Sequence, residues 1–309
     1  MSNLFSLIFI ITALIGSVAG LLGNAAILAV SSASWVRNII SYDMLMIFLS
    51  LSRICLQYWI MQDLFVGLVF PSFYYVDNLF VTYKTVFMFL NYASLWFAAW
   101  LSVFYCTKVA TSTQSFFIWL KQRISNLVPW MLITSSLFSF ATSFPFFWNI
   151  YSVHDNFTAP LTVTNSSERT ATMRTSFFVL ILLCNAGIAL PLILFVVSSI
   201  LLIRSLWRHM RKMQNNTTGF RDPCSEAHMG AIKSVLSFLI LYVTYFIALV
   251  LILSDMFLPF STGEALCTAV MAACPSGHSM ILIWSNPKYQ ELPARIFNHT
   301  NCQRRPRSI

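Results

Sequence analysis

The stretch LFVTYKTVFMFLNYASLWFAAWLSVFYCTKVA, residues 79–110, decides the fold. From Val86 to Cys106 it is almost wholly apolar, and about 20 residues rising about 1.5 Å each are long enough to cross the hydrocarbon core of a bilayer. Aromatic residues lie on nearly every face, with one amide, Asn91, in the outer third and Lys108 at the inner end. A helix of this kind is surrounded by protein rather than by lipid alone. The stretch therefore predicts the central helix of a transmembrane bundle.

The whole chain has the composition of an integral membrane protein. Of its 309 residues, 58% are hydrophobic and 9% are charged, whereas a soluble domain carries roughly 25% charged residues. We predict an all-α membrane protein, a single seven-transmembrane helix bundle over residues 1–309. Its apolar stretches lie at approximately 4–30, 44–66, 79–107, 127–148, 177–203, 232–253 and 264–284. Because no basic region precedes the first stretch, we expect it to be a retained helix that acts as a signal anchor.

The distribution of Lys and Arg predicts the orientation of this bundle. Most of the 19 Lys and Arg residues fall in segments 31–43, 108–126, 204–231 and 285–309. The other set of loops holds Arg169 and Arg174, with Lys84 near a helix end. The positive-inside rule then puts the N-terminus outside the cell and the C-terminus in the cytosol. Since the net charge of +9 is explained by this inner face, we expect no nucleic-acid partner.

A guanidinium, that of Arg53, stands deep in the second span, in IFLSLSRICLQ (residues 47–57). A charge at that depth costs at least about 3 kcal/mol unless it faces the bundle interior and finds partners. Asn24 in the first span is a candidate acceptor, and His278 or Ser279 in the seventh could complete the set. We therefore predict a polar clamp, which is either purely structural or repacks when the bundle changes conformation.

The segments outside the membrane suggest modifications and lipid contact. The outer loop 149–176 contains acceptor sequons at Asn156 and Asn165, which makes both candidates for N-glycosylation. The basic segment RSLWRHMRKM (204–213) belongs to the inner loop 204–231 and either contacts anionic membrane lipid or presents a surface to an acidic or helical partner. Cys302, in the cytosolic tail 285–309, is either palmitoylated or a free thiol.

No residue pattern indicates catalysis or metal binding. The seven cysteines lack metal-ligand spacing, and the five histidines are scattered without a carboxylate at a recognisable distance along the chain. We therefore expect no enzyme activity, no cofactor and no bound metal.

Four longer stretches carry a family resemblance: LWFAAWLSVFYCTKVA (95–110), SLWRHMRKMQ (205–214), DPCSEAHMGAIKSVLSFLILY (222–242) and PSGHSMILIWSNPK (275–288). Together with SLSR at 50–53 and Asn24, they resemble the bitter taste receptors, the type 2 taste receptor family of G-protein-coupled receptors. The resemblance implies a multi-pass receptor of the plasma membrane that binds small bitter molecules and activates a gustducin-type heterotrimeric G protein. Homo- or hetero-oligomers stay open.

The resemblance also implies a ligand pocket among the outer halves of helices three, five, six and seven. By position, Asn91 matches a frequent pocket asparagine and Tyr245 an aromatic of helix six. Phe87 stands where Trp is common, and Thr268 where some members have an acidic residue, so we expect an apolar, aromatic pocket with little negative charge. An interhelical hydrogen bond is the alternative for Asn91, and aromatic packing is the alternative for Tyr245.

At the inner ends of helices three, five and six, the resemblance implies a docking site for the C-terminal helix of the G-protein α subunit. The candidate residues are Tyr105, Lys108, His209, His228 and Lys233. Agonist binding would shift the population toward a bundle that is open inside. The alternatives are another seven-helix chemosensory receptor or a small-molecule transporter, although transporters usually show intramembrane carboxylates or internal repeats and none is visible here.

Overall fold

A computed structural model describes residues 2–37, 41–70, 77–109, 115–158, 187–208, 210–211, 223–253, 257, 261–286 and 288–289. Some side chains within these ranges, chiefly near the helix ends, are not described. The seven helices are α1 (Ser2–Arg37), α2 (Ser41–Val69), α3 (Asp77–Val109), α4 (Ser115–Thr158), α5 (Gly187–Arg208), α6 (Pro223–Leu253) and α7 (Thr262–Ser285). Across these ranges there is no β-strand.

All seven helices are long and apolar enough to cross a membrane, which confirms the predicted seven-helix bundle. Their orientation relative to the membrane stays a prediction. The largest difference from the expected boundaries is α4, which we expected over 127–148 and which runs from Ser115 to Thr158. Its backbone hydrogen bonds continue into polar segments at both ends, where hydropathy gives no helix signal.

The helices pack in a ring with α3 inside it. Helix α1 lies against α2 and α7, α6 lies against α7, and α3 lies against α2 and α4. Every residue of α3 from Asn91 to Ala99 is buried, as expected for a helix surrounded by protein. The outer surface of the bundle keeps large apolar side chains such as Leu22 and Trp130 exposed, as a lipid-facing surface requires.

The contact between α1 and α7 depends on small residues. Gly16, Gly20 and Gly23 share one face of α1 and lie against the α7 backbone and its serines. At Gly20 an added Cβ would lie 2.9 Å from Gln57 Nε2 and closer still to Ser276 Oγ. The Ser276 hydroxyl donates to the Gly16 carbonyl oxygen at 2.6 Å, so it is held at this close approach.

We expect Gly20→Ala to lower the stability of the bundle by about 1–3 kcal/mol, because overpacking displaces two hydrogen-bonded side chains. Gly16→Ala is the matched control, since its Cβ would meet ordinary contacts of 3.5 Å. Thermal melting of the purified protein and its surface expression check the difference. Equal melting temperatures for the two variants would contradict the close approach at Gly20.

Candidate functional site

The four residues predicted as a polar clamp lie together as two hydrogen-bonded pairs. Arg53 Nη1 donates to His278 Nδ1 at 2.8 Å, which joins α2 to α7. Ser279 Oγ donates to Asn24 Oδ1 at 2.8 Å, which joins α7 to α1. All four residues are buried. The structure thus pairs Asn24 with Ser279, and the acceptor for Arg53 is His278 rather than Asn24.

The bond with Arg53 fixes the chemical state of His278. A guanidinium can only donate, so Nδ1 must be the acceptor nitrogen of a neutral imidazole and the proton sits on Nε2. The imidazole ring stacks on Phe238 of α6, with centroids 4.2 Å apart and an interplanar angle of 29°. His278 therefore connects α2, α6 and α7 through one side chain.

Gln57 is a member of this polar group that the sequence analysis missed. It is fully buried, and its Nε2 donates to the Ala272 carbonyl oxygen of α7 at 2.9 Å. The sequence does contain an indication that Gln57 faces the bundle interior. Gln57 lies four residues after Arg53, which puts both side chains on one face of α2.

Two of the predicted ligand residues, Asn91 and Tyr245, form an internal contact between α3 and α6. Tyr245 Oη donates to Asn91 Oδ1, while Asn91 Nδ2 donates to the Phe87 carbonyl oxygen at 2.7 Å. The interhelical hydrogen bond that we gave as the alternative for Asn91 is therefore formed. Thr268 is half-buried, and its hydroxyl donates to the Glu264 carbonyl oxygen of its own helix at 2.9 Å. Ligand contact by these residues stays a prediction.

An aromatic pair lies one helical turn from this contact, toward the half of the bundle that we predict to face the cytosol and call the inner half. The rings of Phe195 on α5 and Tyr242 on α6 stack with centroids 4.1 Å apart at 5°. The Tyr242 hydroxyl donates to the Leu95 carbonyl oxygen of α3 at 3.3 Å. Helices α3, α5 and α6 are therefore tied together between the outer and inner halves of the bundle.

A cavity of about 420 Å³ occupies the inner half, with walls from α3, α5, α6 and α7. It extends from the helix ends at Val109 and Ser285 to a deep end at Phe195, Phe238 and His278. Its lining is mainly apolar with several hydroxyl groups, and none of the described residues that line it carries a formal charge. Hydropathy alone gave no signal for this cavity, since it arises from the relative positions of four helices.

The predicted coupling residues lie differently with respect to this cavity. Tyr105 lines it. Lys108 is exposed at the end of α3, and its ammonium donates to Ser125 Oγ of α4 at 3.4 Å. Lys233 is exposed on α6, beside the lining residue Ser234. The structure thus places Tyr105 on the cavity wall, and the two lysines are exposed outside the lining.

The remaining predicted residues fall outside the described part of the chain. His209, Asn165 and Cys302 are not described, and neither are the side chains of His228 and Asn156, whose backbones belong to α6 and α4. Glycosylation of Asn156 and Asn165, palmitoylation of Cys302 and the coupling roles of the two histidines stay predictions.

The fold has a counterpart among solved structures. Squid rhodopsin matches with a TM-score of 0.59 over 100% of this chain and 89% of that chain, at 15% identity, which is a likeness of fold alone. The chain therefore has the seven-helix fold of G-protein-coupled receptors.

Sequence relatives define the family. The profile of the Taste receptor protein (TAS2R) family matches residues 1–301. Taste receptor type 2 member 40 of Gallus gallus is 63% identical over 97% of each chain. Taste receptor type 2 member 39 of Homo sapiens is 42% identical over 87% of this chain and 80% of its own. The chain thus belongs to the type 2 taste receptor family: it is a bitter taste receptor, a multi-pass protein of the plasma membrane and not an enzyme.

The Arg53–His278 pair provides a test of the clamp. His278→Ala leaves a buried guanidinium without its acceptor, and we expect a loss of about 1.5–3 kcal/mol or more. The double variant Arg53→Met with His278→Leu removes both polar partners and should recover part of that stability. Thermal melting of the purified receptor measures both effects, with Arg208→Met at an exposed position as control. A double variant less stable than His278→Ala would contradict the pairing.

Proposed function

We propose that this receptor binds small bitter molecules among the outer halves of α3, α5, α6 and α7 and activates a gustducin-type heterotrimeric G protein at their inner ends. The observation that carries the proposal is the inner cavity of about 420 Å³, which lies between the inner ends of α3, α5, α6 and α7. The taste receptor family and the receptor fold support it.

The chemistry of the cavity favours a helical protein partner with an apolar tip. The lining is apolar apart from hydroxyl groups, the Asn286 amide and the imidazole of His278, whereas Lys108, Arg208 and Lys233 are exposed around the inner end of the bundle. An amphipathic helix that inserts apolar side chains into a groove and leaves carboxylates at a basic rim fits this distribution. The C-terminal helix of a G-protein α subunit is the partner we propose.

The outer site combines one amide with aromatic walls. The Asn91–Tyr245 bond is a polar point among buried apolar side chains, and partly buried Phe87 packs against the same core. A ligand that replaces Tyr245 as the partner of Asn91 would gain orientation from one hydrogen bond, while apolar contact supplies most of the affinity. A site of this kind suits uncharged ligands of varied shape.

Helix α6 connects the two sites physically. It carries Tyr245 at the outer contact and Ser234, Val235 and Phe238 on the cavity wall. An agonist that changes the contact between Asn91 and Tyr245 acts on the same rigid element that bounds the inner cavity. The shift toward the coupling state is limited by the difference between the agonist's affinities for the two states.

We also propose anionic membrane lipid as a partner of the inner surface. Arg211 lies over the exposed ring of Trp207, 5.7 Å from its centroid, and Arg123 lies 5.9 Å from that of Trp119. Trp and Arg together are typical of the headgroup region on the cytosolic side of a membrane.

The general test is a screen of chemically diverse bitter compounds on cells that express this chain with a gustducin-type G protein. Agonist-dependent calcium release that requires the G protein supports the proposal. Transport of a compound without any G-protein response would instead support the transporter alternative.

For the outer site, we expect Asn91→Ala to shift agonist potency by about tenfold, in proportion to one lost hydrogen bond of about 1.4 kcal/mol. Surface expression should stay intact, and the size of the shift should differ between agonists. Ser139→Ala is the control, because this buried hydroxyl bonds to its own helix at the Ser135 carbonyl oxygen. Unchanged dose responses for every agonist would remove Asn91 from the ligand site.

For the inner site, we expect Ala231→Trp to abolish G-protein activation while agonist binding remains, because the indole would occupy the cavity that Ala231 lines. Leu236→Trp is the matched control, since Leu236 is exposed to lipid on the same helix. Radioligand binding and nucleotide exchange on the purified G protein measure the two properties. Normal exchange with Ala231→Trp would reject the cavity as the docking site.

A further inference from the structure

Two polar residues on the cavity wall share one hydrogen-bond acceptor behind the wall. Tyr105 on α3 and Asn286 at the end of α7 both line the cavity. The Tyr105 hydroxyl donates to the Tyr42 hydroxyl oxygen at 3.0 Å, and Asn286 Nδ2 donates to the same oxygen at 3.2 Å. Tyr42 belongs to α2 and is not part of the lining. Its oxygen therefore connects α3 to α7 from outside the cavity.

The position of Tyr42 is fixed by a buried ionic contact next to it. Asp43 is fully buried and accepts from the Lys288 ammonium, which also lies 5.9 Å from the centroid of the Tyr42 ring. The backbone N–H of Lys288 donates to Asn286 Oδ1 at 3.0 Å. The Asn286 amide is therefore held at both ends, by Tyr42 at its nitrogen and by Lys288 at its oxygen.

The hydrogen-bond network around Tyr42 also includes a residue of α1. Tyr289 is buried, its hydroxyl lies 3.1 Å from Ser31 Oγ, and it also interacts with the Tyr42 hydroxyl. Burial raises the pKa of Tyr289 well above its usual range, with the neighbouring Tyr42 adding to the effect, so this hydroxyl remains neutral. Four segments, α1, α2, α3 and the turn after α7, thus meet around one tyrosine.

We propose that Tyr42 is a positioning residue for G-protein activation, acting on the cavity through Tyr105 and Asn286. The inference rests on the proposed docking of the α subunit in the inner cavity. The Tyr42 oxygen accepts hydrogen bonds from the Tyr105 hydroxyl and from Asn286 Nδ2, so a docking helix meets hydroxyl and amide groups with fixed directions. Preorganised groups raise affinity because they lose less freedom when the partner binds.

The variant Tyr42→Phe isolates this role. It retains the ring, and with it the contacts to Phe104 at 6.2 Å and Tyr105 at 5.8 Å, and it removes the shared acceptor. We expect agonist affinity and surface expression to stay at the parent level. The rate of agonist-driven nucleotide exchange, expressed per agonist-binding receptor in nanodiscs, should fall by about fivefold to tenfold, as the loss of about one net hydrogen bond predicts.

The matched control is Tyr58→Phe, which removes a hydroxyl from an exposed tyrosine of the same helix and should leave nucleotide exchange unchanged. Tyr105→Phe removes the same bond from the cavity side. The double variant Tyr42→Phe with Tyr105→Phe should therefore lose less activity than the product of the two single losses, since both act through one contact.

The outcomes separate this inference from the proposed docking site. Normal exchange with Tyr42→Phe, alongside inactive Ala231→Trp, overturns the role of Tyr42 and leaves the docking site in place. Normal exchange with Ala231→Trp overturns the docking site itself. If Tyr42→Phe fails to reach the surface, the role becomes structural and the inference is rejected. Independent, multiplicative losses in the double variant reject it as well.

Discussion

A polar side chain in the hydrocarbon region of a membrane has no water to bond with, so it must find its partner within the protein, on its own helix or on a neighbouring one. The central contacts of this receptor follow from that constraint. Arg53 bonds to His278 between α2 and α7, and Ser279 bonds to Asn24 between α7 and α1. Tyr245 bonds to Asn91 between α6 and α3. Apolar packing alone would let these helices slide or rotate against one another. Each directional hydrogen bond instead fixes the rotation of a helix about its axis and its position along the membrane normal.

The sequence predicts much of this arrangement because polar residues are conspicuous within apolar spans. Arg53, Asn24, His278 and Ser279 were identifiable as one group, since an intramembrane charge requires partners. Which of these residues bonds to which could not be predicted, because the pairing depends on the rotation of each helix about its axis. Hydropathy carries no information about that rotation. Gln57 was missed for a related reason: its side chain is uncharged, and its burial is visible only once α1 and α7 close over it.

The inner cavity is a second feature that one-dimensional patterns do not contain. Its four walls come from helices far apart in sequence, and its volume depends on how closely their inner ends approach. We expect the basic residues to mark the end of the bundle that meets a partner. Lys108 is exposed at the end of α3, Lys233 is exposed next to the lining residue Ser234, and Tyr105 lines the cavity. The side that charge indicates therefore stays a prediction, while the shape and lining of the cavity follow from helix packing.

The hydroxyl groups of the cavity obey the same constraint as the clamp. Ser102 of α3 receives a bond from Ser198 of α5 at 2.8 Å and lies 3.1 Å from Ser199. Ser234 of α6 and Ser285 of α7 lie 2.8 Å apart, and Tyr105 bonds to Tyr42. Each of these hydroxyl groups therefore has at least one hydrogen-bond partner within the bundle. The docking helix that we propose would then gain its affinity from apolar contact with the cavity and from the basic residues exposed at the same end of the bundle, and its specificity from the fixed positions of these hydroxyl groups.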